Sequence, residues 1–301
     1  MKTNAIIRIA LCTLGILILS AILFVGVFYQ RFSFEFSFQE SVHHNDSLSS
    51  DAYITDPSQI QNIQIEWAAG NITIEPNDDA EYIRVMESEC EEKYRMICKE
   101  SGNTLTIQFC KSSNNVISFG TSIDAKDLVI QVPSDWICRN LEIDVAAADV
   151  DIANMTISTL SFDGASGMCN LENCSVSELD VDVASGDLTF SGVLDTLDFD
   201  GASADCTLIL SECPSHIDLD GMSGELDITL PSDCGFTVTA EGLSSSFSTD
   251  FQTISRNGSH VHGDGHCKIE VDAMSGSVAI HNGGENCRGD HSSGSHHSRR
   301  Y

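Results

Sequence analysis

Leu179-Asp-Val-Asp-Val-Ala-Ser-Gly-Asp-Leu-Thr-Phe190 decides how this chain is read. Its first and third residues are apolar and its second is polar, the period-two pattern of a half-buried strand. Ala184-Ser185-Gly186 at the centre is small and flexible, and glycine admits the positive φ that a turn needs. Leu188 and Phe190 then resume the alternation as a second strand.

The same twelve residues recur on both sides. They return as Leu160-Ser-Phe-Asp-Gly-Ala-Ser-Gly-Met-Cys-Asn-Leu171, Leu197-Asp-Phe-Asp-Gly-Ala-Ser-Ala-Asp-Cys-Thr-Leu208 and Ile217-Asp-Leu-Asp-Gly-Met-Ser-Gly-Glu-Leu-Asp-Ile228. Leu141-Glu-Ile-Asp-Val-Ala-Ala-Ala-Asp-Val-Asp-Ile152 precedes them, so starting residues 141, 160, 179, 197 and 217 are spaced by 19, 19, 18 and 20. Outlying copies are Ile63-Gln-Ile-Glu-Trp-Ala-Ala-Gly-Asn-Ile-Thr-Ile74 and Ile269-Glu-Val-Asp-Ala-Met-Ser-Gly-Ser-Val-Ala-Ile280.

Strand, small turn, strand and loop in about 19 residues make one coil of a β-solenoid. A coil cannot bury its apolar side alone, whereas stacked coils pair at about 4.8 Å and share a core. Some five inward side chains per coil, at roughly 1.5–3 kcal/mol each, contribute about 7–15 kcal/mol before entropy is subtracted. The expected fold class is all-β: a single β-solenoid domain of about 19-residue coils, preceded by one N-terminal transmembrane helix. Tyr82–Val85, Leu105–Phe109 and Leu128–Val132 read as further strands. Phe236–Ala240 and Phe247–Phe251 form a longer excursion between the last two copies.

The helix is read from the uncharged run Ile9–Gln30, which supplies the ~20 residues that cross the hydrocarbon layer. Lys2 and Arg8 favour a cytoplasmic N-terminus, and Arg31 opposes that bias. A cleaved signal peptide is the rival reading, but the run is long for one and no A-x-A-like site closes it. The expected organisation is a cytoplasmic segment 1–8, a membrane helix 9–30, a linker 31–57, an extracytoplasmic solenoid 58–282 and a disordered Gly/Ser/His tail 283–301. The corresponding location is a single-pass cell-membrane protein with its C-terminal domain outside.

A net charge of −30 over 301 residues disfavours nucleic acid and anionic lipid surfaces, which would repel it. It suits a soluble surface, a cation-rich environment or a basic partner. The fourth repeat position is acidic in every copy: Glu66, Asp144, Asp163, Asp182, Asp200, Asp220 and Asp272. Such a ladder is a candidate Ca²⁺ or cationic-ligand site, since hard cations take carboxylate oxygens. The competing expectation is a turn-stabilising Asp that accepts from backbone N–H groups two residues on. Charges about 5 Å apart in water repel by only roughly 0.8 kcal/mol, so the stack requires no cation. The calcium-binding nonapeptide of toxin-type β-rolls is also missing, and no cofactor is expected.

β-helix enzymes that cut acidic polysaccharides use surface carboxylates in general acid–base work. Here the carboxylates follow the period instead of converging once, and no basic cluster holds an anionic sugar. Of the twelve cysteines, Cys12 falls in the membrane run, and no C-x-x-C supports a zinc ribbon. Cys90 pairing with Cys98 or Cys110 is one expectation. Cys169 and Cys206, at repeat position ten, read as core residues. His262, His266 and Cys267 form a weak candidate metal group in a glycine-rich loop, and His296-His297 a weaker one.

The Ser-Gly-Asp-like turns, Gly263-Asp-Gly265 ahead of the last copy, and Leu230-Pro-Ser-Asp-Cys-Gly-Phe-Thr-Val238 together resemble the bacterial DUF4097 family. The resemblance covers about residues 55–282 and is best from Leu141 onward. Members are described as candidate adhesins, many with one N-terminal membrane helix. The resemblance implies a β-solenoid-like fold and an envelope location, and it carries over no catalytic residues. The many cysteines and the His-rich tail depart from the family pattern.

The function expected from the sequence is a membrane-anchored, non-catalytic, adhesin-like or envelope-interaction module presenting an acidic repeat face. Its partner is an unidentified cell-envelope or surface ligand. A cation-dependent envelope-stress sensor or scaffold is the alternative, and a polysaccharide-active enzyme ranks behind it.

Overall fold

The computed structural model describes residues 52–88, 90–110, 125–241, 245–256 and 258–284. The expected cytoplasmic segment, membrane helix, linker up to residue 51 and tail from residue 285 lie outside the described residues. Among those described, no helix is long and apolar enough to cross a membrane.

The described chain is built of strands. The N-terminal group is β1 (Tyr53–Thr55), β2 (Asn62–Asn77), β3 (Ile83–Glu87), β4 (Ile97–Ser101), β5 (Thr104–Gln108) and β6 (Leu128–Pro133). The repeats form β7 (Ile137–Ala153), β8 (Thr156–Ser166), β9 (Cys169–Ser185), β10 (Leu188–Ser203), β11 (Cys206–Leu210) and β12 (His216–Leu230). Beyond them come β13 (Phe236–Glu241), β14 (Ser245–Thr249), β15 (Ile254–Arg256), β16 (Ser259–His262) and β17 (Cys267–Asn282).

The copies stack as their spacing predicts. First-position residues Ile63, Leu141, Leu160, Leu179, Leu197, Ile217 and Ile269 pair in one parallel register from coil to coil. All are buried. Tenth-position residues Ile72, Val150, Cys169, Leu188, Cys206, Leu226 and Val278 form a second buried column. Cys169 and Cys206 therefore sit in the core, where burial pushes their thiols up in pKa. With the side-chain alternation fixed at two, one register error would turn every apolar residue outward, so the apolar columns themselves set the pairing.

Both ends depart from chain order in the same way. At the start, β2 lies between β7 and a terminal coil made of β5 and β6. At the finish, β17 lies between β12 and a terminal coil made of β13 and β14. The excursion between the last two copies is thus the end coil, and the copy at Ile269 stacks directly on the copy at Ile217. Antiparallel strands cover part of each end: β4 on β5, β3 on β6, and β16 on β13. β1, within the stretch read as linker, extends the first end by pairing with β3. Covering an open strand edge removes the template on which another chain could add.

Two corners set the chain's path. At position eight the coils approach so closely that a Cβ on Gly186 would lie 2.0 Å from the Gly167 carbonyl oxygen, and one on Gly224 1.9 Å from that of Ala204. Gly167 has φ 137°, but Gly186 and Gly224 have no positive φ. Close backbone approach, more than turning, is what excludes a side chain at Gly186 and Gly224, while the copies at Leu141 and Leu197 carry alanine at this position. Position fourteen is the second corner, with Asn154 at φ 55°, Asn173 at φ 52° and Gly192 at φ 134°. Asparagine tolerates this left-handed region, and Asn173 Nδ2 donates to Asn154 Oδ1 at 2.6 Å, linking two corners.

A disulfide joins Cys213, just ahead of β12, to Cys234, just after it. It ties the entry and exit of one coil. Cys90, Cys98 and Cys110 are free thiols, so the pairing expected among them is not formed. They surround a buried ammonium instead. Lys126 is 3% exposed, is paired with Glu87 and donates to the Tyr94 and Phe109 carbonyls. Its Nζ stands 4.7 Å from the Trp67 ring centre and 4.4 Å from that of Phe109. Trp67 Nε1 donates to the Lys126 carbonyl at 2.9 Å. Pairing and ring contact are what make a buried lysine tolerable.

Candidate functional site

Because β-strand side chains alternate, the even positions two and four of each copy project from the coil surface while one and three fill the core. The fourth-position acids Glu66, Asp144, Asp163, Asp182, Asp200, Asp220 and Asp272 are all in register on successive coils. Sequence reading placed all seven, and the fold brings all seven into one column. The second position adds a neighbouring column of Gln64, Glu142, Ser161, Asp180, Asp198, Asp218 and Glu270. The result is a two-column acidic face.

Charge on this face is only partly compensated. Burial pushes Asp144 up to about 7, with the charges of Asp163, Glu142 and Glu66 adding to it and a hydrogen bond with Asp163 holding the proton. Asp163 is raised by burial and by Asp180. Asp180 is raised by burial and then by Asp198, Asp200 and Glu178. Asp220 is raised by burial and then by Asp218, Asp200, Asp272 and Asp198. Desolvation and like charges both disfavour the ionised form, so protons settle part of the repulsion. At the first end, Gln108 caps the column by donating from Nε2 to Glu66 at 2.9 Å.

Acids at position nine also take backbone N–H groups. Asp149 Oδ1 accepts from Met168 N–H at 2.9 Å, Asp187 from Asp205 at 3.2 Å, and Asp205 from Glu225 at 2.9 Å. Each carboxylate reaches forward to the next coil, not two residues along its own. Carboxylates satisfying backbone N–H groups across coils are structural. Their sequence signal was the recurring Asp at that position, which periodicity alone could not assign to a partner.

The His262, His266 and Cys267 loop does not gather as a metal group. Cys267 points into the core, His266 is exposed, and His262 packs between Phe236 and Phe251 with Nδ1 against the Gln252 carbonyl. A different group does gather. Ligand atoms of His216, Asp218 and Glu270 all lie within 4.8 Å of one another. Sequence reading missed it, because Glu270 is 54 residues from His216 and meets it only through the out-of-order pairing of β17 with β12.

Similarity to other proteins agrees with this architecture. The sequence profile of the Toastrack DUF4097 family matches residues 60–281. No curated protein matches the chain. Among solved structures, it is similar to a candidate cell adhesion protein of Clostridium sporogenes, at 13% identity over 77% of this chain and 97% of that one, with a TM-score of 0.34. A candidate adhesin of Bacteroides fragilis shows 15% identity over 77% and 95% of the two chains, with a TM-score of 0.45. A candidate lipid-binding protein of Parabacteroides distasonis shows 15% identity over 77% and 95%, with a TM-score of 0.39. Likeness this distant carries no argument about ligands. The family profile, by contrast, spans the stacked coils from the first copy to the last, and the chain belongs to the Toastrack DUF4097 family.

Proposed function

We propose that this protein is a non-catalytic, adhesin-like module, held at the cell membrane by residues 9–30 and displaying its acidic face outside the cell to a positively charged envelope or surface ligand. The observation that carries this reading is the in-register column from Glu66 to Asp272, flanked by the second-position acids. A flat face of one charge sign, repeated at the coil spacing, favours many weak contacts with a basic surface over one deep site. The Cys213–Cys234 disulfide suits an oxidising compartment.

The reading is non-enzymatic for a physical reason. Acid–base hydrolysis needs two carboxyl groups with contrasting environments around one reacting atom. Here the carboxyl groups repeat along the stack, and Asp144, Asp163, Asp180 and Asp220 are all shifted upward with burial as the leading cause.

Adhesion of cells carrying the full chain tests the proposal. Attachment to polylysine-coated glass should exceed attachment to neutral glass and fall severalfold at high salt. It should also fall severalfold in the triple variant Asp163→Asn, Asp182→Asn, Asp200→Asn. Equal attachment of the variant and the native chain would remove the acidic face from the function.

A further inference from the structure

His216, Asp218 and Glu270 lie at one edge of the acidic face, where β12 meets β17. The register pairs His216 with Lys268 and Asp218 with Glu270. One imidazole and two carboxylates thus converge from two strands that are distant in sequence, with donor atoms within 4.8 Å of one another. No hydrogen bond or ion pair joins the three side chains to each other. Two ligands of a single tetrahedral zinc are roughly 3.3 Å apart, so small side-chain rotations bring all three onto one ion.

Among the described residues, the one lysine in register with this group faces away from it. Lys268, the register partner of His216, turns its ammonium to the Gly265 carbonyl at 2.8 Å and the Thr237 hydroxyl at 3.3 Å. Asp198 adds another carboxylate beside Asp218, its own register partner. The donor set also discriminates. Calcium and magnesium take oxygen ligands, whereas an imidazole with carboxylates suits ions of the zinc class.

We infer that His216, Asp218 and Glu270 form a site for a divalent transition ion of the zinc class, which clips strand β17 to β12. Both strands are long, and β17 lies between β12 and the terminal coil of β13 and β14. An ion shared by the two strands favours the closed end over a displaced β17, and it does so only in the folded chain. This site is separate from the fourth-position column, and its existence does not depend on adhesion.

The test is a thermal melt of the full chain with zinc chloride, calcium chloride or magnesium chloride. Zinc should raise the melting temperature by several degrees, and calcium or magnesium should not. Glu270→Gln, at an exposed position, and His216→Gln should each abolish the zinc increment and weaken affinity by about tenfold or more. Cobalt in place of zinc should give visible d–d bands without a thiolate charge-transfer band. No zinc increment, an increment unchanged in Glu270→Gln, or a thiolate band would each overturn the assignment. The last two would give the ion to the tail histidines or to the cysteines.

Discussion

Asp144 and Asp163, register partners on adjacent coils, are hydrogen-bonded carboxyl to carboxyl, and Asp144 holds the proton. The pair places a shared proton within the acidic column. It makes folding depend on pH in a direction opposite to that of a salt-bridged carboxylate.

Burial and the neighbouring charges push Asp144 up to about 7 in the folded chain, from an ordinary carboxyl value of 3.8. Between those values the folded state binds more protons than the unfolded state, so this group's stabilisation is complete below about pH 4 and is lost as pH rises through about 7. Asp144→Asn should be more stable than the native chain at pH 8, by on the order of 1 kcal/mol once solvent screening is allowed for. The two should converge at about pH 4 and below. Denaturant titrations at both pH values check this, and a difference of equal size at both would contradict it.

The position-eight glycines make a steric prediction. A methyl group on Gly186 or Gly224 would meet a carbonyl oxygen at 2.0 or 1.9 Å, and that oxygen belongs to backbone, which cannot step aside. Gly186→Ala and Gly224→Ala should each cost about 3 kcal/mol or more, whereas Ala204→Gly at the same repeat position should cost about 1 kcal/mol. Chemical-denaturation midpoints measure the contrast. Equal losses at all three sites would mean that the coils do not approach as described.

The Cys213–Cys234 bridge closes a loop of 21 residues around β12. Its removal should cost about 3 kcal/mol on the chain-entropy scale. Reduction, or Cys213→Ser, should lower the melting temperature. Alkylation of the denatured, unreduced chain should leave these two cysteines unmodified. Full modification without reductant would show that the bridge is absent.

Lys126 and Glu87 predict a non-additive pair. Lys126→Met strands a carboxylate that is only 10% exposed and should cost about 3–5 kcal/mol. The double variant Lys126→Met, Glu87→Met should recover much of that loss, since a buried pair exchanged for apolar side chains is often neutral. A double-mutant cycle with no coupling would remove the ion pair as an organising contact.

Much of this was legible in the sequence. The spacing of Leu141, Leu160, Leu179, Leu197 and Ile217 reported strand, period and register together, because period-two burial and a fixed coil length leave one way to align the apolar residues. The acidic column followed from the same alignment. The order of the end coils was not legible: periodicity says that Ile269 begins a copy, but not that it stacks on Ile217 with β13 and β14 outside it. That pairing is non-local, and His216 meeting Glu270 depends on it. The Cys213–Cys234 bridge was hidden for the same reason, since spacing alone cannot choose among many cysteines. The left-handed corners at Asn154 and Asn173 sat outside the twelve-residue repeat, where only their shared position marked them.

Everything proposed for the acidic face depends on the coil order, and distances between spin labels read that order most directly. Azide-bearing amino acids at positions 66, 144 and 272 accept nitroxides without involving the native thiols. Positions 144 and 272 are five coil steps apart and 66 and 272 are six, so at about 4.8 Å per step the pairs should lie about 24 Å and 29 Å apart. Two narrow distributions differing by about one coil step are the expected result. Broad distributions, or a 144–272 distance lengthened by an extra coil between Asp220 and Asp272, would contradict the stack.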